Sequence, residues 1–116
     1  MYEPFIGMIM LVGWNFEPHG WAFCDGRMLS ISQNTALFAL LGTTYGGNGT
    51  TTFALPDLRG RVPVGMGTGK NLPSVVIGQT GSSPAANAAP GQPTVTTPTL
   101  GLNYVIALQG IFPSRA

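Results

Sequence analysis

His19, Asp25 and Ser30 are the residues whose types could make up a hydrolytic triad. A triad needs a base that relays a proton between a nucleophile and an orienting carboxylate. These three sit close together in sequence, on a turn and a helix cap, without the G-x-S-x-G elbow that would expose a serine. Ser30 has a sufficient explanation as a cap. Gly65 to Lys70 (GMGTGK) carries the glycines and lysine of a phosphate loop. However, Val64 stands where the first glycine belongs and Asn71 where a serine or threonine should follow. No helix is expected after it, so no N-terminal dipole would meet a phosphate. One histidine and one cysteine, Cys24, cannot build a metal centre within one chain. Copies of His19 brought together on an oligomer axis are the route left open. Cys24 has no internal disulfide partner and reads as a small buried hydrophobe. No cofactor is expected, and the chain reads as a non-enzyme.

Asp57, Arg59 and Arg61 are a different case. They are three of nine charged residues, gathered beside Pro56 in a chain that otherwise avoids charge. The expectation is a structural turn in which Asp57 accepts from backbone N–H groups or pairs with an arginine. Among the aromatic residues, Trp14 and Tyr45 lie next to glycine-rich turns. Together with Asn48 in the 43–52 loop, they are the candidates for an interface or a ligand. Asn48-Gly49-Thr50 also matches a glycosylation acceptor, although the pair Asn48-Gly49 is sufficiently explained as a turn.

The elements that must position these residues are short. Residues 5–12 (FIGMIMLV) form a continuous apolar run, expected as a strand buried on both faces. Trp21 to Cys24 is a second strand closed by the turn pair Asp25-Gly26. A helix is predicted over about 33–41, with Leu37, Leu40 and Leu41 at helical spacing and Gly42 at its end. Ser30 and Gln33 fit a capping box, and Ser32 is the alternative cap. Phe53 to Leu55 is extended; Arg61 to Met66 alternates as an irregular or edge strand because of Pro63; Val75 to Ile77 is one more strand. Leu100 to Phe112 closes the chain, buried at Tyr104 to Leu108 and neighbouring the first run.

Composition sets the class. The fold expected is α+β and mainly β, a small single domain with one helix, glycine-rich loops and an extended arm. Residues 1–78 would form its core, 79–99 a flexible Pro/Ala/Thr-rich arm or linker, and 100–116 a closing strand of the same domain. Charged residues make up 8% of the chain, against roughly 25% in an average globular protein. No basic patch is dense enough to grip nucleic acid. The run from Phe5 to Trp14 is too short to span a bilayer, and the N-terminus lacks the basic region of a Sec signal peptide. A surface this poor in charge is expected to be covered by a partner or by further copies of the chain.

Long stretches resemble the phage tail collar domain. They are Gly20-Trp21-Ala22-Phe23-Cys24-Asp25-Gly26, Leu29 to Asn34 with Ala36-Leu37-Phe38, Leu41 to Gly49, and Phe53 to Arg61. They are similar in particular to the bacterial branch of microcystin-dependent and tail-fibre proteins, as is the closing run Leu102 to Pro113. The resemblance covers residues 3–78 and 100–115. It implies a structural tail-fibre or appendage protein, usually trimeric, in a virion tail or extracellular appendage. Such a chain would assemble with itself, as a trimer or filament, and with other tail or appendage proteins. A host-surface or carbohydrate-binding adhesin that meets a glycan is the alternative. Family members commonly carry a metal-holding His-x-His pair before the closing strand; residues 79–99 stand in its place and hold no histidine.

Overall fold

A computed structural model describes residues 3–81 and 98–115. The chain divides into two compact units: residues up to 61 together with those from 102 onward, and residues 62–101. The architecture is α+β and mainly β, with one short helix among the described residues.

In the first unit, β1 (Ile9–Val12), β2 (Trp21–Phe23) and β7 (Asn103–Ala107) form a three-stranded sheet in the order β1-β7-β2. Both pairings are antiparallel, with Ile9 opposite Ile106 and Ala22 opposite Ile106 from the other side. The two ends of the chain meet again where Phe5 bridges Ile111. The last strand is therefore central, and Val105, Ile106 and Ala107 are buried. β1 is an edge strand, which corrects the expectation of burial on both faces: of its four residues only Val12 is buried. An unbroken apolar run reads the same whether neighbours cover it or not, because the strand's place in the sheet comes from pairing across almost a hundred residues.

A second sheet pairs β3 (Met28–Ser30) with β4 (Thr52–Ala54), and the helix α1 (Thr35–Leu41) lies between them in sequence. The helix starts later than predicted and is not capped as predicted. Asn34 is its N-cap, and no side chain makes a cap hydrogen bond. Ser30 is the last residue of β3, opposite Thr52, and its hydroxyl bonds that of Ser32 at 2.9 Å. The Ile31 N–H donates to Thr51 and the Asn34 N–H to Ile31, so a turn separates strand from helix. Sheet pairing holds Ser30 extended, out of reach of the first helical N–H groups, and the Ser30 and Gln33 capping box does not form. Gly42 ends the helix as expected, its N–H donating to the Phe38 carbonyl at 2.8 Å.

The core of this unit joins both sheets and the helix. Ile6, Ala22, Cys24, Leu37, Phe53, Leu55 and Ile106 form one buried cluster, with Leu29, Phe38 and Tyr104 among the half-buried side chains packed around it. Leu37 faces inward from the helix and is fully buried. Phe38 and Phe53 pack as a tilted aromatic pair, ring centres 5.4 Å apart.

In the second unit, β5 (Gly67–Thr68) pairs with β6 (Ser74–Val75) around a turn in which the Leu72 N–H donates to Gly69. Residues 61–66 form no strand, against expectation, and are exposed throughout. Pro63 removes a donor from the middle of that stretch, and the paired strand begins only beyond it. The arm expected over 79–99 falls, across 82–97, outside the described residues. No helix among the described residues is long and apolar enough to cross a membrane.

Candidate functional site

The charged residues of the first unit occupy two clusters. In one, Asp57 closes the turn after β4. Its Oδ1 accepts from the Arg59 N–H at 3.2 Å and from Arg59 Nε at 2.8 Å, while Oδ2 accepts from Arg59 Nη2 at 2.8 Å. Arg61 donates to the Asp57 carbonyl at 3.0 Å and lies 3.5 Å from its carboxylate. A bidentate fork on a carboxylate that also holds a backbone N–H fixes the direction of the chain as well as its charge. The Arg59 hydrogen bonds hold the Asp57 carboxyl well below the usual carboxylate range.

The second cluster was not legible in the sequence. Arg27 Nε and Nη2 donate to the two oxygens of Asp25 at 3.0 Å each, and Nη2 also reaches Glu17. Glu17 in turn accepts from the Phe23 N–H at 3.0 Å. These residues come together because β2 carries the chain out from Glu17 and the Asp25-Gly26 turn brings Arg27 back. A ten-residue separation between Glu17 and Arg27 announces none of this. Their scarcity in a charge-poor chain was the one available signal. Arg27 lowers the carboxyl of Asp25 chiefly through its side-chain hydrogen bond. The two turns meet where Asp25 bridges Asp57.

Both carboxylates titrate below their ordinary value of about 3.9 when folded. A depressed pKa stabilises the fold above the unfolded value, and that stabilisation is lost as pH falls through the folded value. Urea denaturation should therefore give a lower midpoint at pH 2.5 than at pH 7. The gap should narrow in Asp57→Asn, which is already weakened at neutral pH. Because Asp57 is solvent-screened, its share should shrink further in high salt.

Asp25 is engaged by Arg27 and Ser30 by Ser32, and among the described residues neither bonds to exposed His19. No group of three or more His, Cys, Asp or Glu side chains that could hold a metal is present among the described residues. Cys24 is buried, and burial, followed by the charge of Asp25, pushes its thiol up to about 12. Since the thiolate is the reactive form, Cys24 should resist a disulfide reagent at pH 8 in native protein. In denaturant it should react within minutes; equal rates in the two states would contradict the packing described here.

Asn48 organises its own loop. Its Oδ1 accepts from the N–H groups of Thr50, Thr51 and Thr52 at 2.8, 2.8 and 3.1 Å, and its Nδ2 donates to the Thr51 hydroxyl. Tyr45 is half-buried, and burial raises its hydroxyl pKa. Trp14 is the exposed candidate: it stacks on Phe16 with ring centres 5.7 Å apart, and Asn103 anchors its carbonyl at 2.8 Å. The partner ring, Phe16, is 61% exposed and was not singled out in the sequence. Spacing of two along the chain was its only sign.

Residues 7–63, just under half of the chain, match the Phage Tail Collar Domain. The chain is similar to Protein RhiB of Rhizobium leguminosarum bv. viciae, 39% identical over 59 residues covering 48% of this chain. It is also similar to the short tail fiber protein gp12 of Enterobacteria phage T4, 37% identical over 68 residues covering 58% of this chain. The matched stretch spans 27% of the length of the first relative and 13% of the second. The 7–63 match contains both charged turns, the helix and the Asn48 loop.

Proposed function

Because the chain carries a phage tail collar domain over residues 7–63, we propose that it is a non-enzymatic structural subunit of a tail fibre or related extracellular appendage, working by assembly with copies of itself. The collar match is the observation that carries this reading, and the likeness to a short tail fiber protein supports it. The similarity to a bacterial protein keeps a cellular appendage beside the virion as a location. The physical support is a surface that solvent alone serves poorly. Ile9, Met10, Leu11, Trp14 and Phe16 are all exposed along one stretch of the first unit, and exposed apolar side chains gathered together mark interaction surfaces. Copies of the chain, in a trimer or a filament, and neighbouring tail proteins are the proposed partners.

Light scattering after size exclusion tests this directly. The expected result is a defined oligomer at micromolar concentration, and a stable monomer across that range would overturn self-assembly. One observation favours a second reading. The exposed Trp14–Phe16 stack offers a flat apolar platform of the kind on which a sugar ring can lie. A glycan array probed with the native protein and with Trp14→Ala discriminates the two; binding that ignores the substitution rejects this platform.

A further inference from the structure

The two edges of the three-stranded sheet are finished differently. Antiparallel neighbours exchange N–H and C=O at alternate residues, which leaves the residues between them pointing outward. On β7, Tyr104 accepts from the Cys24 N–H and Leu108 donates to Gly20, so its even-numbered residues face β2 and its odd-numbered residues face β1. Trp21 and Phe23, opposite Ala107 and Val105, therefore turn their N–H groups away from the sheet on the β2 side. Both are occupied, Trp21 by the Pro18 carbonyl and Phe23 by the Glu17 carboxylate.

The β1 edge has no such finish. Ala107 donates to Met8 and accepts from Gly7, and the register continues through Met10 opposite Val105 and Val12 opposite Asn103. Ile9 and Leu11 consequently aim their N–H and C=O groups outward, and no strand among the described residues pairs with them. Edge strands are ordinarily protected by lysine, proline or an inward charge. β1 has none of these, and no charge occurs from Pro4 to Phe16. Its side chains are open on both faces, with Ile9, Met10 and Leu11 40%, 45% and 52% exposed.

We propose that the outer edge of β1 pairs antiparallel with β1 of a second copy of this chain, with Met10 facing its counterpart across a two-fold axis. This rests on the self-assembly reading above and adds to it a two-fold contact, which does not build a trimer but joins one copy, or one trimer, to the next. In that register Ile9 of one copy lies opposite Leu11 of the other. All four outward groups of each strand are then satisfied, and the two sheets join into one of six strands. A two-fold contact sets every residue against its own kind's surroundings, so a charged edge would repel itself; this edge is neutral. Alone the contact makes a dimer, and it extends to a filament only with a second contact.

Cysteine cross-linking of the full chain tests the register. Facing residues of a non-hydrogen-bonded pair have Cα atoms about 4.5 Å apart, within disulfide reach, and the native Cys24 is buried. Under mild oxidation Met10→Cys should give a reducible covalent dimer in most of the sample, whereas Met28→Cys, exposed on β3, should not. Leu11→Lys should weaken association at least tenfold while circular dichroism stays native. If native protein is monomeric at micromolar concentration, both the assembly reading and this contact fail. If it is oligomeric, yet Met10→Cys links no better than Met28→Cys and Leu11→Lys leaves the mass unchanged, assembly stands and the β1 contact is overturned. Should Met10→Cys not fold, the Leu11→Lys mass decides.

Discussion

Gly47→Ala should cost about 4 kcal/mol or more of stability, because two independent penalties fall on one position. The backbone at Gly47 has φ +97°, where a side chain adds strain of roughly 1–3 kcal/mol. A Cβ there would also stand 2.4 Å from the Phe53 Cα and 2.6 Å from the Thr52 carbonyl oxygen. Those are backbone atoms of β4, so no rotamer change relieves the overlap. The loop must leave the strand, and Asn48, which bonds three successive N–H groups beside it, must move with it. Gly60→Ala supplies the control. Its φ is +67°, but nothing lies within 4 Å of the added carbon, so only the left-handed backbone penalty remains, roughly 1–2 kcal/mol. Urea denaturation of both variants measures the difference. Equal losses would mean that the close approach of the loop to β4 is not rigid.

Phe53→Ala should cost about 3–5 kcal/mol, the range for removing a large aromatic side chain from a packed core. Phe53 is fully buried, shares the core cluster with Leu37 and Leu55, and is tilted against Phe38. Truncation removes the contact with Phe38 of the helix and empties the centre of a core cluster shared with Ile106 of the first sheet, and a cavity between elements collapses poorly. Phe53→Leu keeps most of the volume and should cost about 1.5 kcal/mol. Domains of this size are stable by only about 5–15 kcal/mol, so Phe53→Ala should unfold in urea at a markedly lower midpoint. A loss under 1 kcal/mol would show that the core is not centred on β4. Both substitutions act on Phe53, whose side chain is fully buried in the core and whose backbone lies against Gly47.

Much of the scaffold was legible in the residues themselves. The Asn48-Gly49 turn, the apolar spacing of α1 and its end at Gly42, and the buried state of Cys24 follow from local backbone preferences and simple polarity. Asp25-Gly26 closes no hairpin, because β2 and β3 lie in different sheets and Asp25 bridges Asp57 instead. The charge-poor composition and the long motifs from Gly20 to Arg61 led to the collar resemblance, which the match over 7–63 shows. The Asp57 turn was expected in kind, because a carboxylate followed by arginines two and four residues later has its partners within local reach.

Other features depended on which strand lies beside which. The start of α1 is set by Ser30 pairing with Thr52, a contact across the whole helix and loop. Likewise, β7 is buried as its apolar character implies, but the exposure of β1 departs from what the same character implies there, because β7 occupies the middle of the sheet and β1 its edge. The Glu17–Arg27–Asp25 cluster needs β2 to fold back before its members can meet. By itself, the sequence determined local turns, helix content, the poverty of charge and the likeness to the collar domain over residues 7–63. Only the tertiary structure decided which edge of the sheet is finished and which is open, since the direction in which a backbone N–H points is fixed by its neighbour's register and leaves no trace in residue type.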